Sequence, residues 1–93
     1  MATDGYEWDP REAAENLRKH GADFDDAVVA LEDPLALTML DPDSNGELRF
    51  VSMGRDPVGR LLVTIFTPRG QLIRVISSRR ATPSEIRTYG EQT

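Results

Sequence analysis

Apolar residues recur along this chain first at helical spacing and then in alternation. Phe24, Ala27, Val28 and Leu31 are three and four apart, the period of one buried helix face, and Asp33-Pro34 ends the run. Asp23 is placed to cap that helix, whose Asp25, Asp26 and Glu32 then face water. An earlier helix is signalled by Asp9-Pro10-Arg11-Glu12, where Asp9 caps free amides, proline suits the first helical position and Glu12 can complete a capping box. It is expected to run to about His20 and to end at Gly21, with Ala13, Leu17 and His20 on its inner stripe and Asn16 one turn before His20. From Leu35 the pattern becomes strand-like over Leu35 to Leu40, Glu47 to Met53, Arg60 to Thr67 and Gln71 to Ser78. The short breaks at Asn45-Gly46, Gly54 to Gly59 and Pro68-Arg69-Gly70 make these strands antiparallel neighbours. Thr82-Pro83-Ser84-Glu85 starts a last helix with Ile86 and Tyr89 facing inward. The predicted class is α+β: two N-terminal helices, a four-stranded antiparallel sheet and a C-terminal helix, with the helices largely on one face.

With 93 residues there is room for one core, and no linker, repeat or low-complexity tract divides the chain, so residues 1–93 are read as a single domain. A chain this small buries only roughly 60 to 65% of its unfolded surface, which makes a permanent partner plausible from the outset. The absence of cysteine excludes disulfide scaffolds, thiolate nucleophiles and cysteine-ligated zinc. A single histidine does not make a multi-histidine metal site, so no metal and no cofactor is expected. The longest uncharged apolar run, Leu61 to Phe66, is far short of the ~20 residues that span a bilayer. Met1 to Pro10 is acidic rather than basic and apolar, and a cytoplasmic protein with no membrane partner is expected.

The net charge of -5 hides a split: residues 1–46 carry twelve acids and three bases, residues 47–93 four acids and eight bases. All eight of those bases are arginine, while the only lysine, Lys19, stands beside the only histidine, His20. Guanidinium groups make planar, bidentate contacts to phosphate and carboxylate. The basic half therefore suits an anionic ligand, or else the two halves attract each other within one domain.

Several arginines interrupt strands that otherwise read as core. Alternation puts Glu47, Arg49 and Val51 on one face of their strand, and Arg74 on a face with Leu72, Ile76 and Ser78. A guanidinium within a sheet face is either paired or opens onto a groove where an anion meets it. For Arg49 the pairing partner at hand is Glu47; for Arg74 it is an acid of the first two helices. Arg79-Arg80 add cations beside the free amides of the helix capped at Thr82, a setting that favours phosphate. Trp8 reads as an anchor between the first helix and the sheet. No Gly-rich phosphate loop, nucleophile elbow or recognisable pair of catalytic aspartates occurs. Lysine, histidine, one strand glutamate and several arginines suit RNA cleavage by its own 2'-hydroxyl. That reaction needs proton transfer and cations for the phosphorane but no metal. His20 or Glu47 then handles protons, and Lys19, Arg49, Arg74 and Arg79 stabilise charge, provided that they converge at one shallow cavity.

Glu7-Trp8-Asp9, Asn16-Leu17-Arg18-Lys19-His20-Gly21, Glu47-Leu48-Arg49-Phe50, Gly59-Arg60 and Arg74-Val75-Ile76-Ser77-Ser78-Arg79-Arg80-Ala81-Thr82 together resemble BrnT-type toxins over about residues 6–89. The resemblance implies a RelE-like fold and a metal-independent endoribonuclease that arrests translation as the toxin of a type II toxin-antitoxin system. It implies RNA as substrate and a BrnA-type ribbon-helix-helix antitoxin as partner, with operator DNA reached only through the toxin-antitoxin complex. Carried over, the catalytic positions are Lys19, His20, Arg49, Arg74 and Arg79, with Glu47 as a further acid or base; Glu47 and, from its place beside the capped helix, Arg80 are taken as substrate contacts. The chain departs from the family pattern at Leu48, Ser78 and Phe66, and in its acidic overall charge. A second reading is a catalytically weak module that binds the antitoxin and modulates repression of its own operon.

Overall fold

The computed structural model describes residues 2–3 and 5–91. All three helices lie where their caps place them. Helix α1 spans Pro10–His20, opened by the Asp9 carboxylate accepting from the Arg11 N–H and closed by Gly21 in the left-handed conformation (φ 66°). Helix α2 spans Phe24–Leu31 with Asp23 as N-cap. Helix α3 spans Pro83–Gly90, where Thr82 and Glu85 form both halves of the capping box.

The sheet is larger than the alternation predicts. Strands β1 (Ala2–Thr3) and β2 (Tyr6–Glu7) precede the helices; β3 (Leu37–Leu40), β4 (Phe50–Arg55), β5 (Leu61–Arg69) and β6 (Leu72–Arg80) lie between α2 and α3. They form one mixed sheet in the order β1-β2-β6-β5-β4-β3. The β3 to β6 part is antiparallel as expected, but β2 runs parallel to β6, pairing Tyr6 with Ile73 and Glu7 with Arg74. Two-residue strands are too short to produce an alternating signal, which is why the expected sheet lacked them. The other corrections concern strand ends. Glu47, Leu48 and Arg49 precede β4 instead of opening it, and Gly54, expected in a connection, lies inside β4.

Gly54 is in the strand because a helix sits directly on it: a Cβ there would overlap the carbonyl of Ala30 in α2. Helices α1 and α2 cover one face of the sheet. Beneath them lie two apolar clusters: Tyr6, Trp8, Phe24, Ala27 and Val75, and next to it Ala22, Ala30 and Leu62. Trp8 meets Phe24 of α2 edge to face at 6.0 Å, in the cluster that holds Val75 of β6 and against which Ala13 of α1 packs. Across the sheet runs a row of hydroxyl residues, exposed Thr38 at the edge and buried Ser52, Thr64 and Ser78, each directly opposite the next across β3, β4, β5 and β6. Thr38 donates to Ser52, and Thr64 and Ser78 share a hydrogen bond, each at 3.0 Å.

An irregularity in the β5–β6 pairing decides which arginines face where. Thr64 pairs with Ser78 and Ile65 with Ser77, but Phe66 pairs with Val75, so Ile76 is bulged out. The extra residue reverses the expected alternation. Val75 shares the helix-covered face with Ser78, while Arg74 shares the opposite, open face with Ser77 and Arg79.

Candidate functional site

The open face of the sheet is built from residues that pair across it in register. One row is Met39, Val51, Ile65 and Ser77; the next is Leu37, Met53, Val63 and Arg79. Met39, Val51, Val63, Ile65, Ser77 and Arg79 of these rows line a cavity of about 410 Å³, together with His20, Ser78, Asp41, Pro42 and Asp43. Its floor is aliphatic and its rim carries one imidazole, one guanidinium and two carboxylate-bearing residues. A smaller hollow of about 260 Å³ continues along the same face towards α3, lined by Leu37, Met53, Val63, Glu85 and Thr88 among others. On the far side of His20, a hollow of about 350 Å³ is lined by Arg11, Glu12, Glu15, Asn16, Lys19, Ile76 and Ser77.

Of the seven residues singled out from sequence, the structure brings His20 and Arg79 into the same cavity. His20 is the last residue of α1 and exposed, on the rim shared with the neighbouring hollow. Lys19 lines that neighbouring hollow and pairs with Glu15 at 3.5 Å. Arg49 reaches the cavity wall indirectly: its Nη2 lies 3.4 Å from the Asp41 carboxylate and donates to the Asp43 carbonyl. Its Nε is buried and has no hydrogen-bond partner among the described residues. Arg74 lies on the open face and is held by Glu12 of α1 at 3.5 Å, the arrangement anticipated for it if paired. Glu47 and Arg80 stand apart. Glu47 is exposed in the connection before β4, and Arg80, paired across from Leu62, belongs to the opposite face from Arg79.

Arg49, Arg74 and Arg79 therefore each have a carboxylate partner, from the β3–β4 connection, α1 and α3 respectively. The tightest is Arg79, whose two terminal nitrogens lie 2.9 Å from the two Glu85 oxygens. That bidentate pair pulls the Glu85 carboxyl down to about 2 and pushes the Arg79 guanidinium up. Glu85 is thus a carboxylate throughout the neutral range, with both oxygens engaged. No group of three or more histidine, cysteine, aspartate or glutamate side chains suited to a metal ion occurs among the described residues.

Sequence reasoning missed three contributors to this site. Asp41 was an unremarked loop residue, yet pairing of Leu40 with Phe50 closes the loop so that Asp41 and Arg49 meet. Glu85 was visible only as half of a capping box. Asn16 was placed one turn before His20, but it is Asn16 that is buried, while Leu17, expected on the inner stripe, is 48% exposed. Ile86 is likewise 48% exposed, leaving Tyr89 as the inward residue of α3.

The chain resembles known proteins over most of its length. Residues 8–85 match the family model described as the ribonuclease toxin BrnT of type II toxin-antitoxin systems. The fold matches a crystal structure of the Brucella abortus ribonuclease toxin BrnT with a TM-score of 0.61 and 30% identity, covering 81% of this chain and 92% of that one. No curated protein matches. No helix among the described residues is long and apolar enough to cross a membrane.

Proposed function

The chain belongs to the BrnT family of ribonuclease toxins of type II toxin-antitoxin systems, and on that premise we propose that it is a metal-independent endoribonuclease. It cuts RNA, arrests translation and is silenced by a BrnA-type ribbon-helix-helix antitoxin, through which alone it reaches operator DNA. The observation that carries this reading is that His20 and Arg79 line one cavity with an aliphatic floor.

The scissile phosphate sits between those two side chains. The 2'-hydroxyl attacks phosphorus as its proton leaves, and the 5' oxygen departs as it gains one, giving a 2',3'-cyclic phosphate and a free 5'-hydroxyl. His20 exchanges the proton at one of these oxygens, with water serving at the other, and Arg79 stabilises the charge that builds on the phosphorane. Lys19, Arg49 and Arg74 hold flanking phosphates by exchanging carboxylate for phosphate. Val51, Val63 and Ile65 offer the neighbouring base an apolar surface.

Purified chain freed of antitoxin is incubated with single-stranded RNA in EDTA, beside His20→Ala and Arg79→Ala. Wild type is expected to cleave and each variant to be slower by about 10²- to 10³-fold. Equal cleavage by all three removes the site. An inactive wild type supports the alternative of an interaction module that binds antitoxin and modulates repression, a reading favoured by one observation: Arg49, Arg74 and Arg79 are all held by carboxylates.

A further inference from the structure

The one fully buried side chain of α1 is polar. Asn16 is 6% exposed, and all three hydrogen bonds of its carboxamide go to backbone outside its own helix. Its oxygen accepts from the Ser78 N–H at 3.1 Å; its nitrogen donates to the Ser78 carbonyl at 2.7 Å and to the Ala22 carbonyl at 2.9 Å.

This carboxamide stands where a strand would be. Strand β2 pairs with β6 at Ile73 and Arg74, so beyond the bulge at Ile76 the outer edge of β6 has no neighbouring strand among the described residues. A lone amide satisfies both the donor and the acceptor that Ser78 presents there, as an adjoining strand does. Its third bond fixes the chain just past the helix end. His20 lies between the two clasped points, four residues after Asn16 and two before Ala22, and Arg79 follows Ser78 directly. The hydrogen bonds of one side chain thus join the element that carries the imidazole to the element that carries the guanidinium.

We propose that Asn16 is a positioning residue for RNA cleavage, holding His20 at a fixed place relative to Arg79. The proposal rests on the ribonuclease reading above. Within the last turns of α1 no other side chain fixes the helix to the sheet: Leu17, Arg18 and Lys19 are exposed, and Ala13 is the α1 residue packed against the main apolar cluster, while just past the helix Ala22 is buried and Arg60 donates to the Gly21 carbonyl at 3.4 Å. A catalytic group displaced by about 1 Å loses on the order of 10²-fold in rate.

The test uses the full chain with Asn16→Asp, which is nearly isosteric, keeps the acceptor for Ser78 and removes both donors, together with Asn16→Ala. Turnover is expected to fall about 10²-fold while KM for RNA stays within about 3-fold, since the phosphate-binding cations are untouched. In a His20→Ala background, Asn16→Ala is expected to cost less than about 3-fold more, because its effect runs through His20. Full-sized losses in both backgrounds, a change in KM alone, or wild-type turnover in both single variants overturns the proposal. NMR gives a readout independent of cleavage, and its wild-type arm does not depend on how the variants fold. In the wild-type chain the His20 ring is expected to show nuclear Overhauser contacts to Ser77 and Ser78, and these are lost in Asn16→Asp. A wild-type ring without such contacts defeats the clasp. A wild type that shows them yet cleaves no RNA defeats the ribonuclease reading and leaves the clasp standing as a structural fact.

Discussion

Arg79 and Glu85 meet fork to fork across the turn from β6 into α3, through two parallel 2.9 Å hydrogen bonds, and the same Glu85 accepts from the Thr82 N–H. The guanidinium proposed to receive the phosphate is therefore tied to the first turn of a helix by a competing anion. Phosphate and carboxylate offer guanidinium the same planar recognition, so RNA has to displace or share Glu85. Glu85→Gln keeps the shape and removes the competing charge. It is expected to tighten RNA binding and to steepen the fall of log K with log salt by about 0.7, the increment for one more neutralised phosphate on a single strand. Binding titrations from low to moderate salt measure both; an unchanged slope means Arg79 does not meet phosphate.

Acid should expose the same pair. The Glu85 carboxyl is lowered from its ordinary 4.5 to about 2, so its contribution is full above pH 4.5 and is lost as pH falls through about 2. With the pair partly open to water, that contribution is roughly 1 to 2 kcal/mol after allowing for solvent screening. Urea unfolding of wild type and Glu85→Gln from pH 7 to 2 is expected to show that gap at neutral pH, narrowing below 4.5 and closing near 2. A gap that widens on acidification contradicts the pairing.

The seat of α2 on β4 predicts a severe local mutation. Gly54→Ala places a methyl group on the Ala30 carbonyl, and backbone rather than a flexible side chain has to move. The expected loss is at least about 3 kcal/mol in chemical denaturation. Gly70, where a Cβ meets nothing within 4 Å but φ is 62°, should lose only about 1 kcal/mol on the same change.

The β4–β5 turn depends on one buried carboxylate. Asp56 accepts from the Val58 and Arg60 N–H groups and from the Arg60 guanidinium, the last at 2.7 Å. Burial alone raises its carboxyl, but these donors outweigh burial and the net direction is down. Asp56→Ala leaves two amides and a guanidinium without their acceptor, and is expected to cost about 2 to 4 kcal/mol in unfolding free energy. It is not expected to change RNA binding, since Asp56 lines none of the hollows around His20 and Arg79.

The helices were legible from the sequence because caps are local: Asp9, Asp23 and Thr82 each act within three residues, and all three helices begin where those residues place them. What escaped was set by distant chain. Nothing near Gly54 announces that Ala30 will lie against it, and nothing near Ile76 announces a bulge, because both depend on how separate elements register. The bulge matters most, since it alone moves Arg74 to the face of Arg79. Partner choice was similarly non-local. Glu47 is two residues from Arg49 and was the acid at hand, yet hairpin closure delivers Asp41 instead. The residue types alone offered His20 and Arg79 among several candidates for phosphate chemistry, and the family resemblance named them with Lys19, Arg49 and Arg74; that His20 and Arg79 share a cavity is set by the fold.

The hydroxyl row from Thr38 to Ser78 gives the sheet an alignment mark. If β5 or β6 slid by one residue, its buried hydroxyl would turn outward and leave its neighbour's oxygen in the interior without that bond. An all-aliphatic interior tolerates such slippage far better, because one methyl group packs against another with little regard to identity. This chain gives up some greasy contact for a pattern that reads correctly in one frame. The order of residues on the opposite side, including the spacing between Ser77 and Arg79 and the floor they complete, is held true by a row of oxygen atoms of which three, those of Ser52, Thr64 and Ser78, lie in the interior.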